Sequence, residues 1–135
     1  MNLLKLTAIG AAISQAVTQP ARFQVAPRNA CLQANFTYDS GGTNLTAYVQ
    51  TSLDGGTTWI DVACFQFTTA SARFVFNLNS QTPVTAEYTP TDGALTANTA
   101  KDGITGQQWR VKYASTGTYG GASALSIDMT SDQVG

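Results

Sequence analysis

The sequence predicts an all-β protein, an antiparallel two-sheet β-sandwich or jelly roll of about eight or nine short strands. Apolar and polar residues alternate at a spacing of two along most of its 135 residues, which is the period of a half-buried strand. Glycine pairs and Asp-Gly steps separate the alternating segments and supply the positive φ that tight turns need. The spacing of an amphipathic helix is nearly absent.

Six segments carry the clearest alternation and are predicted as strands. In chain order they are 30–38, 45–50, 59–67, 74–78, 109–113 and 125–129. Three weaker strand candidates are 4–9, 23–26 and 84–89. Turns are predicted at Gly41-Gly42, Asp54-Gly55-Gly56, Asp92-Gly93, Asp102-Gly103 and Gly120-Gly121. The first strand illustrates the pattern, since Ala30, Leu32, Ala34 and Phe36 share one face and Cys31 lies on the other.

The beginning of the chain is less regular, so we assign residues 1–21 to an N-terminal arm or edge strand and residues 22–135 to the sandwich. Ile9, Ile13 and Val17 could share one face of a short helix, but Gly10 and Pro20 favour an irregular arm. If this arm reaches a partner, removing residues 1–19 should weaken attachment and leave the sandwich folded.

Residues 79–106 form a second weakly patterned region, with Pro83 and Pro90 and few large apolar groups. A stretch of this length inside a compact domain is usually functional or mobile. Two interpretations remain open. One is a surface loop with a short strand near 84–88, and the other is an arm that orders against a neighbouring subunit.

The composition is poor in charge and excludes several classes of function. Charged residues make up 11% of the chain, against about 25% in an average globular protein. The seven basic residues form no cluster that would attract nucleic acid, and no apolar run approaches the roughly 20 residues of a membrane helix. Histidine is absent, so the commonest general base and zinc ligand is missing. We therefore predict a non-enzymatic protein without a cofactor that binds neither nucleic acid nor membrane.

The most specific local motif begins at Ser52 and ends at Trp59. It resembles the Asp-box of sialidases, Ser-x-Asp-x-Gly-x-Thr-Trp, with Asp54 and Gly56 at the matching positions. The motif occurs once in a chain too short for a six-bladed propeller. It therefore predicts a hairpin turn in which Asp54 accepts turn amides, Gly55 and Gly56 adopt positive φ, and Trp59 packs beneath.

The aspartates are better explained by structure than by catalysis. Three of them precede glycine and are expected to form turns: Asp54, Asp92 and Asp102. Asp61 and Asp128 lie within predicted strands, where each could face solvent or pair with Arg110 or Lys112. A pair of carboxylates placed for glycoside hydrolysis is not expected.

The two cysteines are predicted to be free thiols. Cys31 shares the outward parity of Gln33 in its strand, whereas Cys64 lies in a different strand with the parity of Val62. An immunoglobulin-type disulfide would need both to point into one core.

Two parts of the chain resemble small all-β proteins encoded among the virion structural genes of tailed bacteriophages. They are residues 49–61 and residues 106–113, the latter followed by 116–119. The resemblance extends over roughly residues 30–129. It implies a location in the virion, as a capsid decoration protein or as a head–tail (neck) component, and it brings no catalytic residues.

Composition favours a role in assembly, because interface cores are depleted in charge and buried unpaired ions are costly. We expect contacts with capsid or other virion proteins and a homo-oligomeric state. The alternatives are a neck or tail component, or a carbohydrate- or receptor-binding module that uses Trp59 and Trp109. The candidate partner contacts are Leu3, Leu4, Leu6, Ile9, Ile13, Val17, Tyr88 and Tyr119.

Overall fold

The computed structural model describes residues 1–133 and confirms the all-β prediction. Within this range twelve short strands form antiparallel sheets. In chain order they are β1 (Asn2–Ala8), β2 (Ala16–Val17), β3 (Ala21–Arg22), β4 (Asn29–Thr37), β5 (Ser40–Gly41), β6 (Asn44–Ser52), β7 (Ile60–Phe67), β8 (Ala72–Asn79), β9 (Thr99–Ala100), β10 (Gln108–Thr116), β11 (Tyr119–Gly120) and β12 (Ala124–Ser131). No helix among the described residues is long and apolar enough to cross a membrane.

Two principal sheets pack face to face as a sandwich. The first has the strand order β1-β12-β4-β8, and the second has the order β2-β10-β6-β7-β9, with β3 also paired to β10. A two-stranded ribbon of β5 and β11 is not hydrogen-bonded into either sheet. All of these pairings are antiparallel.

The core lies between the two sheets and follows the predicted alternation. In β4, Ala30, Leu32, Ala34 and Phe36 are buried while Cys31 is exposed. Strand β7 differs, because it is buried along nearly its whole length. Strands β6 and β9 flank it, and the loop before β9 covers its outer side, so residues of both parities are shielded from water. Alternation of burial is therefore lost in β7.

Two of the weaker strand candidates, 23–26 and 84–89, are wrong. Phe23 is buried and its amide donates to the Gln107 carbonyl, but the chain then bends at residues 24–25 and leaves β10. Most of residues 84–89 are exposed, and no strand forms there. Pro83 and Pro90 flank this segment and lack the amide proton that a sheet ladder requires.

The N-terminal segment is an integral part of the sandwich rather than a free arm. Strand β1 forms the edge of the first sheet through its pairing with β12, and Leu3, Leu4 and Ile9 are buried in the core. The next residues follow β10, where Ser115 donates its amide to the Ile13 carbonyl and Thr18 donates its amide to Val111. Residues 2–8 therefore form an edge strand, and Ile9, Ile13 and Val17 do not share the face of a helix.

Residues 79–106 pack against their own sandwich. The Asp61 amide donates to the Thr91 carbonyl, the Lys101 amide donates to Val62, and β9 pairs with β7. This corrects the arm interpretation in favour of a surface loop. The short strand in the loop is β9, because the turn around Asn98, with its positive φ of 59°, brings the chain alongside β7.

Candidate functional site

The turn between β6 and β7 is closed by side chains of the Asp-box-like motif. The Asp54 carboxylate accepts the Thr58 amide at 2.8 Å and the Thr58 hydroxyl at 2.5 Å. Ser52 Oγ donates to Asp54 at 2.9 Å and accepts the Gly56 amide at 2.9 Å. Gly55 and Gly56 have φ of 76° and 95°, the region that glycine enters without steric cost. These contacts satisfy the turn internally.

Hydrogen bonds from the Thr58 side chain and backbone lower the pKa of Asp54 from 3.8 to about 2. A depressed folded-state pKa means that the ionised carboxylate stabilises the turn above the unfolded value and stops doing so as the pH falls through about 2. We expect the Asp54 carboxyl carbon to titrate near pH 2 in an NMR titration of the wild-type protein. In the Thr58→Ala variant the midpoint should rise toward 3.8, and an unchanged midpoint would contradict this account.

Asp61 organises the most extensive polar network in the described part of the chain. Its side chain is fully buried in β7. It accepts hydrogen bonds from the Thr91 hydroxyl at 2.8 Å and from the amides of Gly93, Ala94 and Leu95 at 2.8–3.1 Å. A carboxylate that accepts several amides in this way replaces the water it loses on burial. Asp61 therefore anchors the loop that carries Asp92.

Gln50 joins Asp61 to a second charged group. Its Nε2 donates to Asp61 at 2.8 Å and to Asp92 at 2.6 Å, and its Oε1 accepts from Arg110 Nε at 2.7 Å. Asp92 forms ion pairs with Lys112 at 3.0 Å and with Arg110 at 3.7 Å. From the sequence, Asp61 and Asp128 could each face solvent or pair with Arg110 or Lys112; in the structure both cations pair with Asp92 instead.

The electrostatics of this network match its geometry. Burial raises the pKa of Asp92, but hydrogen bonds from Gln50 and Lys112 and the charges of Lys112 and Arg110 outweigh burial and lower it below its ordinary value. Asp102 is also held ionised, since the Asn79 amide donates to it at 2.6 Å and lowers its pKa. Asp92 and Asp102 are acceptors for ion pairs and loops, and their lowered pKa values are opposite to the raised pKa that a general acid needs.

The two tryptophans are covered. Trp109 is completely buried and its Nε1 donates to the Gly106 carbonyl at 2.9 Å. Trp59 is 8% exposed, and the Arg110 guanidinium lies 4.2 Å from its ring centroid. Neither ring presents a free face on which a sugar could stack.

The fold buries some of the candidate partner contacts and leaves others exposed. Four of them are buried within the chain itself, which corrects their assignment as partner contacts: Leu3, Leu4, Ile9 and Tyr119. Tyr119 packs edge-on against Phe36 and donates its hydroxyl to the Thr68 carbonyl. Ile13 and Tyr88 pack against the core from its rim. Leu6 and Val17 are the two that are exposed.

The structure adds exposed apolar residues that the sequence analysis did not single out. Val25 and Leu53 line an open groove of about 470 Å³ beside the Asp-box-like turn. Both are more than 60% exposed, as is Val75 in β8. Val75 lies next to Phe74, which is 41% exposed. Alternation placed Phe74 inside, but β8 is the last strand of its sheet and leaves that side chain partly uncovered.

The cysteines are free, as predicted, and differ in accessibility. Cys31 is exposed and Cys64 is buried. Burial raises the pKa of Cys64 to about 11, with a smaller contribution from the charge of Asp61. We expect iodoacetamide at pH 8 to alkylate one thiol of the folded protein, because the thiolate is the reactive form.

A Cys31→Ser variant should consequently remain unmodified until it is unfolded in urea, whereas a Cys64→Ser variant should be alkylated like wild type. Mass spectrometry after timed exposure distinguishes these results. Rapid labelling of Cys64 in the folded Cys31→Ser variant would contradict the buried position of that thiol.

Residues 1–133 contain no group of three or more side chains of the types that hold metal ions. Searches of protein families, curated proteins and solved structures found no match to this chain.

Proposed function

We propose that this protein is a non-enzymatic structural component of a phage virion that decorates or cements the capsid. The observation that carries the proposal is a chain poor in charge, with 11% of its residues charged. Asp61 is buried, and Asp92 forms ion pairs with Arg110 and Lys112. A free soluble domain usually keeps roughly 25–35% of its surface charged, so such a chain suits contact with other protein subunits.

The roles of the carboxylates support a structural function. Asp54 closes a turn, Asp61 anchors a loop, Asp92 pairs with cations, and Asp102 accepts the Asn79 amide. Each is engaged by neighbours in its own chain, in the arrangement that stabilises a rigid body. Exposed apolar side chains such as Leu53 and Val75 provide surface that a partner could cover.

The mechanism of cementing would be passive. A protein that binds across adjacent capsid subunits stabilises the assembled shell by mass action, because separated subunits lack those contacts. Many equivalent sites add avidity when the decorating protein is itself an oligomer. This function requires a well-folded body with a complementary surface and no chemical step.

Copy number in purified particles of the encoding phage or prophage tests this function. Capsid decoration predicts on the order of hundreds of copies per particle, whereas a neck ring or tail component predicts about a dozen or fewer. Quantitative gel densitometry against the major capsid protein measures the ratio. A low count would replace decoration with the neck or tail alternative, and absence from the particle would overturn both.

A further inference from the structure

Strand β8 forms a free edge of the first sheet, since β4 is its only partner among residues 1–133. The pairing with β4 runs without interruption from Ala72 to Asn79. The opposite edge of that sheet is different, because the pairing of β1 contains two register shifts and Lys5 is exposed on it. Bulges and lysines are devices that keep an edge from pairing with another strand. Strand β8 has no register shift, and its one charged residue is Arg73.

Hydrogen bonds at the end of β8 show which of its residues face the free edge. The Ser80 amide donates to the Arg28 carbonyl on the β4 side, whereas the Asn79 amide donates away from β4, to the Asp102 carboxylate. Because inward and outward backbone groups alternate in an antiparallel strand, Arg73, Val75 and Asn77 direct their amides and carbonyls outward. All three residues are exposed.

We propose that this edge pairs with the same edge of a second copy of the chain, antiparallel and with Val75 on the two-fold axis. In this register Val75 faces Val75 of the second copy, and Arg73 faces Asn77. Each facing pair consists of residues with outward backbone groups, and together they would exchange about six hydrogen bonds. The two first sheets would then join into one continuous sheet.

The alternatives for the second strand are less favourable. Centring the pair on Arg73 would place two guanidinium groups opposite each other, which destabilises a pair of strands. Centring it on Phe76 would use Asn79, whose amide is already bonded to Asp102. The register centred on Val75 uses all three free residues and opposes no like charges.

The aromatic side chains on the inner face of β8 would also match those of the second copy. Phe74 stacks on Phe67 with ring centroids 5.3 Å apart, and Phe76 lies 5.0 Å from Phe65. Phe74 and Phe76, together with Val75 and Asn98, line an open groove of about 300 Å³ at the margin of the sandwich. In the proposed register Phe74 lies opposite Phe76 of the second copy, so the aromatic rows of the two sandwiches become continuous across the seam.

Sedimentation equilibrium of the purified full-length protein tests the dimer, with matched valine substitutions. Val75 and Val25 are each 61% exposed, but only Val75 lies on the proposed axis. Wild type and Val25→Lys should sediment as dimers, whereas Val75→Lys should be a monomer, because it would place two ammonium groups face to face. A monomeric wild type at up to about 1 mM, or a Val75→Lys variant that remains dimeric, would overturn the proposal.

Disulfide trapping tests the register even if Val75→Lys fails to fold. In a Cys31→Ser background, Val75→Cys should form an interchain disulfide on mild oxidation, because the facing Cα atoms would be about 5.5 Å apart. Arg73→Cys and Asn77→Cys should crosslink only when mixed, since each would lie about 13 Å from its own counterpart. Crosslinking of Arg73→Cys alone, or none in the mixture, would overturn the register.

These measurements use the isolated protein, so their outcome is independent of the copy number in virions. A protein that is monomeric in solution could still decorate the capsid, and a dimeric protein could be absent from the virion. Failure of one proposal is therefore distinguishable from failure of the other. A virion protein that meets β8 in place of the second copy would appear as a monomeric wild type in solution, which counts against the proposal.

Discussion

Replacing Asp61 by alanine is expected to destabilise the protein by about 3–5 kcal/mol. The substitution removes the acceptor for the Thr91 hydroxyl and for the amides of Gly93, Ala94 and Leu95. It also leaves Gln50 Nε2 to donate to Asp92 alone. Partly buried donors without an acceptor retain their desolvation cost, so the free energy of unfolding falls by more than the mean value of one hydrogen bond. Urea denaturation measures the change.

Glu87→Ala is the matched control, since this exposed carboxylate lies in the same loop and accepts no hydrogen bond among the described residues. It should change the stability by less than about 0.5 kcal/mol. Hydrogen exchange should in addition show faster exchange of the Gly93, Ala94 and Leu95 amides in Asp61→Ala. Equal stability of the two variants would mean that the loop is held by something other than Asp61.

Leu4→Ala is expected to cost about 2–5 kcal/mol, while Leu6→Ala in the same strand should cost less than about 0.5 kcal/mol. Leu4 is 5% exposed and packs in the core, whereas Leu6 is 73% exposed. The two substitutions remove the same atoms and differ only in burial. The comparison therefore isolates the contribution of the N-terminal strand to the core, again by urea denaturation.

A larger loss for Leu6→Ala than for Leu4→Ala would show that β1 lies on β12 in another register. The same packing reverses the expectation that residues 1–19 can be removed from a folded sandwich. Their removal takes away β1 and uncovers β12, and Leu3, Leu4 and Ile9 leave the core with them. We expect the shortened chain to lose its cooperative unfolding transition.

Much of the fold could be predicted from local pattern. The alternation of Leu32, Ala34 and Phe36 with exposed neighbours needs only the geometry of one strand, because successive side chains point to opposite faces. The Asp-box-like turn is similarly local, since Ser52, Asp54 and Thr58 satisfy one another within a few residues. Such features depend on contacts that are close in sequence, so the sequence alone determined them.

The candidate site could not be derived in the same way. In the sequence Asp61 simply lies within a predicted strand. Its burial depends on a loop some 30 residues later, in which Thr91 and Gly93 donate hydrogen bonds to its carboxylate. Phe74 alternates like a core residue, but among the described residues no strand lies beyond β8 to cover its side chain.

By itself, the sequence determined that the chain is all-β, where most of its longer strands lie, and which turns need glycine. Only the tertiary structure decided that the N-terminal segment is an edge strand, that Asp92 pairs with Arg110 and Lys112, and that β8 ends its sheet. The physical reason is that the alternation of apolar and polar residues shows only which side chains of a strand share a face. Which face or edge is covered depends on segments that are distant in the chain and meet only when the sheets assemble.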